Sequence, residues 1–128
     1  MSQVKNFMTE SPHAIGADQS LKFAHDRMTQ WGTHHLPVLE GGQLVGVISE
    51  RDIALISAVS PHQLETIVVE EAMAAEPYAV APSDDIAVVV AHMLQHKYRT
   101  AVVMDHNKVL GVFTSMDALR LLSKLLQR

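Results

Sequence analysis

The chain repeats itself without a gap at an offset of 65 residues. Met8, Pro12, Met28, Val38, Gly46, Val47 and Asp52 recur as Met73, Pro77, Met93, Val103, Gly111, Val112 and Asp117. Conservative pairs fill the intervals: Ile15 with Val80, Leu21 with Ile86, Leu44 with Val109, Ser49 with Thr114. A fixed period means one supersecondary unit used twice, so any site that the unit builds is expected twice. The boundaries follow directly: a first repeat over 1–60, a connector over 61–68 that opens on Pro61, and a second repeat over 69–128. At 128 residues in all, each half is of a size at which folding alone is marginal, so the halves are expected to share a core.

Composition removes several function classes. A net charge of -4 with ten scattered Lys and Arg argues against a nucleic-acid surface, which needs a basic face. No apolar run approaches the length of about 20 residues that spans a bilayer. The opening MSQVKNFMTE has no apolar leader segment, so a cytoplasmic protein without membrane insertion is expected. Without cysteine there is no disulfide, thiol nucleophile or Cys-based zinc site.

Both repeats carry the same succession of patterns. In the first, Val4 to Thr9 reads as a short helical turn and Pro12 to Ile15 as an extended segment. Leu21, Ala24, Met28 and Trp31 then fall on one face of a helix from about Gln19, with Asp18 as its N-cap. Leu36–Leu39 and Leu44–Ser49 read as a hairpin around Gly41 and Gly42, followed by a helix over Glu50–Ala58. In the second, Ser83 is expected to cap a helix running to Lys97, with Asp84 and Asp85 in its first turn. A hairpin over Ala101–Met104 and Val109–Thr114 leads to a last helix over Ser115–Gln127. The fold class is therefore α+β, a β-α-β-β-α unit built twice. The two closing helices are more apolar than one core contact requires: Leu119, Leu121, Leu122, Leu125 and Leu126 in one, Ile53 to Val59 in the other. A second buried surface, formed by self-association into a homodimer, is expected.

The chemistry lies where each hairpin runs into its closing helix, at Gly46-Val47-Ile48-Ser49-Glu50-Arg51-Asp52 and Gly111-Val112-Phe113-Thr114-Ser115-Met116-Asp117. Unpaired N–H groups and the positive dipole end of a helix suit a phosphate, and a hydroxyl adds one donor. A carboxylate three residues on repels phosphate but can accept hydrogen bonds from the vicinal hydroxyls of a ribose. Together they suit a nucleotide. The same Ser/Thr-x-x-Asp spacing is also a capping box, which needs no ligand.

These residues, with the Leu36-Pro37-Val38 strand and the Met8-Thr9 to Pro12 opening, resemble a tandem cystathionine-β-synthase (CBS) domain pair, or Bateman module, over nearly the whole chain. The resemblance implies two CBS-type repeats packed through their sheets with pseudo-two-fold symmetry. It also implies a non-catalytic sensor of an adenosine-containing ligand: AMP, ADP, ATP, S-adenosylmethionine or NAD. No obligatory cofactor is implied, and occupancy is relayed to a regulated protein acting in trans. In the family each cleft draws on both repeats. Carried onto this sequence, one cleft joins Ser49, Arg51 and Asp52 to Val80, Arg99, Thr100 and Ala101. The other joins Thr114 and Asp117 to Ser11, Ile15, His34, His35 and Leu36. The clefts differ in charge: Arg99 stands where the other has His34, and Glu76 where the other has Ser11. The forked, permanently charged Arg99 favours the Ser49–Asp52 cleft for a phosphorylated ligand. The departures of the second repeat are Val102 for Pro37 and Lys97 for Gly32.

Other constellations are weaker. His92 and His96 have the i, i+4 spacing of metal ligands, but no acidic third ligand stands at the spacing of a zinc protease helix, so no native metal site is expected. No nucleophile elbow, Walker loop or G-x-G-x-x-G is present, which argues against an enzyme. The alternative is a ligand-independent interaction module whose two motifs serve only as helix caps.

Overall fold

The computed structural model describes residues 2–127. After a 3-10 turn at Val4–Asn6 come β1 (Thr9–Glu10), β2 (Ile15–Gly16), α1 (Leu21–Trp31), β3 (His35–Glu40), β4 (Gln43–Ser49) and α2 (Glu50–Val59). The second half holds α3 (Val69–Ala72), β5 (Ala74–Ala75), β6 (Tyr78–Val80), α4 (Ile86–His96), β7 (Thr100–Asp105), β8 (Lys108–Thr114) and α5 (Ser115–Leu126). The fold class is α+β, with two four-stranded sheets ordered β2-β3-β4-β5 and β1-β8-β7-β6.

The compact units do not coincide with the sequence repeats. One unit is His13–Pro77; the other is Met1–Pro12 with Tyr78–Arg128. The opening segment of each repeat thus completes the unit formed mainly by the other repeat. The 3-10 turn and β1 belong with the second hairpin, where Thr9 pairs with Val112 and Glu10 with Gly111. By the same rule α3 and β5 belong with the first hairpin, where Ala74 pairs with Val47 and Ala75 with Gly46.

The single shared core expected from chain length is instead two cores, each finished by one fully buried residue from the other repeat. Ile15, Leu21, Ala24, Met28, Leu36, Val38, Ile48 and Ile53 surround the fully buried Val69. Val80, Ile86, Val89, Met93, Ala101, Val103 and Phe113 surround the fully buried Val4. Val4 and Val69 are themselves equivalent at the 65-residue offset. Burying an aliphatic side chain of this size contributes about 1.5–3 kcal/mol, so a repeat cut off from its neighbour's opening segment loses a core residue as well as a strand.

Two helix starts lie later than the sequence pattern suggested, by the same two residues in each copy. Ser20, not Asp18, caps α1, accepting from Phe23 N at 3.0 Å. Asp85, not Ser83, caps α4, accepting from Ala87 N at 3.1 Å. The residues between are taken up in turns: Gln19 N donates to Gly16 O, and Asp84 N to Ala81 O. Asp84 therefore stands ahead of α4 and not in its first turn, its carboxylate accepting from Ala81 N. At the far end of these helices Gly32 takes the left-handed conformation (φ 64°), and Lys97 holds the same conformation (φ 58°) without glycine's freedom.

Candidate functional site

Each closing helix begins directly at the end of a hairpin strand, so hairpin register fixes where the motif hydroxyl sits. Ser49 is opposite His35 and Thr114 opposite Thr100. The backbone then turns out of the sheet, and the first helical N–H is met by the strand in front: Glu50 N donates to His34 O at 2.9 Å, Ser115 N to Arg99 O at 3.0 Å.

Both motifs close as capping boxes. Asp52 N donates to Ser49 Oγ (3.1 Å) while Ser49 N donates to Asp52 Oδ2 (2.9 Å). Asp117 N donates to Thr114 Oγ1 (3.4 Å) while Thr114 N donates to Asp117 Oδ2 (2.9 Å). Of the first three N–H groups of each helix, those of Arg51 and Met116 are therefore the ones left for a ligand among the described residues. The motif glycine also has a structural cause. A Cβ on Gly46 would stand 2.7 Å from Ala74 O, and one on Gly111 2.3 Å from Thr9 O, so each glycine admits the short strand crossing beside it.

The two carboxylates then differ. Asp117 is buried and each of its oxygens is doubly engaged: Oδ1 by Thr9 Oγ1 (2.9 Å) and Arg120 Nη1 (2.8 Å), Oδ2 by Thr114 N and Thr114 Oγ1 (3.2 Å). Asp52 is half-buried, and among the described residues its Oδ1 accepts no bond. The reason is legible in the repeat: Ala74 and Leu55 stand where Asp117 has Thr9 and Arg120. An open cavity of about 280 Å³ lies beside Asp117, lined by Asn6, Thr9, Arg120 and Lys124 with Phe7, Met8 and Leu121.

The remaining candidates fall into two kinds. Ile15, Leu36, Val80 and Ala101 are core side chains, so only their backbone groups are available to a ligand. Arg51 and Arg99 are exposed, and neither makes an ion pair among the described residues. His34 does: its Nδ1 bonds Glu50 Oε2 at 2.5 Å. That bond, reinforced by the charge of His34, holds the Glu50 carboxyl below its ordinary value. A cavity of about 300 Å³ lies against this pair, walled by His25, Thr29 and Thr33. His35 opens β3 and Thr100 opens β7, both half-buried. Ser11 continues from β1, its N–H on Leu110 O at 3.0 Å, in the same unit as Thr114 and Asp117. Ile15, His34, His35 and Leu36 belong to the unit that carries Ser49 and Asp52, while Val80, Arg99, Thr100 and Ala101 belong to the other. Thr9 and Arg120, the two donors that engage Asp117, escaped the sequence reading. Arg120 was findable, three residues after Asp117 on a helix; Thr9, 108 positions away, was not.

His92 and His96 have ring centroids 4.2 Å apart within an aromatic group that includes Tyr78 and Tyr98. Burial, helped by Asp84, raises the Tyr78 hydroxyl above its ordinary range. Among the described residues no group of three or more His, Asp or Glu side chains could hold a metal ion, and no helix is long and apolar enough to cross a membrane.

Comparison with known proteins decides the family, since the CBS domain matches twice, at residues 4–58 and 69–124. The chain belongs to the CBS domain family. It is 30% identical over 117 residues to the CBS domain-containing protein YhcV of Bacillus subtilis, covering 91% of this chain and 83% of that one. It is also 30% identical to the L-aspartate semialdehyde sulfurtransferase of Methanocaldococcus jannaschii, but there 92% of this chain matches only 23% of the enzyme. Among solved structures, the CBS domain pair of protein MJ0100 in complex with 5'-methylthioadenosine and S-adenosyl-L-methionine superposes with a TM-score of 0.81. The identity is 25%, over 97% of this chain and 98% of that one. A hexameric CBS-CP12 protein from bloom-forming cyanobacteria gives the same TM-score and identity, over 93% and 70% of the two chains.

Proposed function

We propose that this CBS pair is a non-catalytic regulatory module that binds an adenosine-containing ligand at the Ser49–Asp52 motif. The observation that carries the reading is an Asp52 Oδ1 that accepts no bond among the described residues, beside a Ser49 hydroxyl that donates none among them. A ribose diol needs the first, and a phosphate or other polar tail can use the second together with the Arg51 N–H. Family membership and the adenosyl ligands of the MJ0100 pair support the same ligand class. Arg99, with Val80, Thr100 and Ala101, is the complement that the family resemblance assigns to this motif. Ligand acts by linkage, favouring the arrangement that binds it better and passing that bias to a protein in trans. Self-association is part of the proposal, because Met116, Leu119, Leu122, Leu125 and Leu126 of α5 are exposed, as are Leu55 and Val59 of α2. A soluble, cytoplasmic homodimer is the form we assign.

The experiment is a titration of the purified chain with 5'-methylthioadenosine, S-adenosylmethionine, AMP, ADP, ATP and NAD, followed by thermal shift. A ligand at about 100 times its dissociation constant stabilises by about 2.7 kcal/mol, and Asp52→Ala abolishes the shift. A second reading, ligand-independent caps, is favoured by the closure of both capping boxes. Absence of any shift across the six compounds would select it. Sedimentation of wild type beside Leu119→Lys/Leu126→Lys tests the dimer; identical masses would remove it.

A further inference from the structure

We propose that Arg120 and Thr9 latch the Asp117 carboxylate shut, so that of the two motif copies only Ser49–Asp52 takes the adenosyl ligand; this rests on the reading of the Asp52 motif above. An ionised carboxylate offers about four lone-pair sites. Asp117 has filled them with Thr9, Arg120 and two donors of Thr114, at 2.8–3.2 Å. A ribose diol brings two further donors and finds no acceptor free. Asp52 spends one position, on Ser49 N. Access runs the same way, since the Asp117 side chain is 4% exposed beneath an Arg120 that is 64% exposed.

The repeat supplies reciprocal grafts as the test, at four exposed positions: Thr9, Ala74, Leu55 and Arg120. Thr9→Ala/Arg120→Leu writes the open environment into the latched copy. Ala74→Thr/Leu55→Arg writes the latch into the open copy. Binding stoichiometry is measured on the full chain by calorimetry with 5'-methylthioadenosine, which has the ribose hydroxyls and no phosphate. One equivalent is expected for wild type, two for the first graft and none for the second, with the added equivalent in the first graft removed by Asp117→Ala. Two equivalents in wild type, or one in both wild type and the first graft, overturn the latch and leave the Ser49–Asp52 reading standing. One equivalent in the first graft alone supports the latch and removes that reading. No binding by either chain removes both.

Discussion

The two helix starts of this protein share every backbone bond of the motif and differ in what stands beyond it. Ser49–Asp52 and Thr114–Asp117 make the same reciprocal cap, receive the same strand carbonyl and follow the same glycine. What separates them is Thr9 and Arg120 on one carboxylate against Ala74 and Leu55 on the other, together with the Thr114 hydroxyl that donates to Asp117 Oδ2. The shared bonds therefore belong to folding, as helix caps that form in both copies. The proposed difference in ligand binding rests on the neighbours Thr9 and Arg120, which lie outside the shared pattern.

The largest effects should come from breaking the comparison at its centre. Asp117→Ala strands Thr114 N, Thr9 and Arg120 around an empty buried position, and should cost about 2–3 kcal/mol in denaturant unfolding. Asp52→Ala removes little more than a cap and should cost about 1 kcal/mol, yet abolish ligand binding. Equal losses of stability would show that the two carboxylates are equivalent in the folded chain and undo the distinction. Next come the glycines. Gly111→Ala drives a Cβ against the Thr9 carbonyl and should cost about 2–3 kcal/mol, with Gly46→Ala lower in rank because the Ala74 carbonyl stands farther off and its other obstacle is the movable Met73 side chain. A reversed order would mean that the strand at Ala74 is the more rigid of the two crossings.

A smaller effect separates the helix starts as read from sequence from those that form. Ser20→Ala should cost about 1 kcal/mol and Asp18→Ala no more than about 0.5, because Ser20 holds the cap bond to Phe23 N. The difference illustrates what the sequence could carry. Apolar periodicity located α1 and α4, and Gly, hydroxyl and Asp located the motif. Both are local signals. The cap positions depended on turns tied to distant partners, Ala17 N on Leu39 O and Ile86 N on Ser2 O, so a two-residue error arose in both copies together. The exchange of opening segments was hidden for the same reason: β1 and β5 are two residues long and have no periodicity to read. Thr9 was visible as part of the opening motif, but its role exists only once β1 lies against β8.

The smallest effect is electrostatic and belongs to one copy alone. Glu50 bonds His34 in the first motif, while Ser115 occupies its place in the second. The bond holds the folded-state Glu50 carboxyl below its ordinary value of 4.5, so folding favours the ionised form. A group depressed in this way contributes stability that is fully present above the unfolded value and is lost as pH falls through the lowered folded one. Glu50 is exposed, and solvent screens the pair, so the contribution is minor. Wild type should unfold at a slightly higher denaturant concentration than Glu50→Gln at about pH 6, and the gap should close once the pH drops below the folded value. A gap that widens on acidification would reverse the sign and would mean that His34 prefers its partner protonated. The corresponding Ser115→Ala should leave the pH dependence unchanged, because that copy has no acid at the position to titrate.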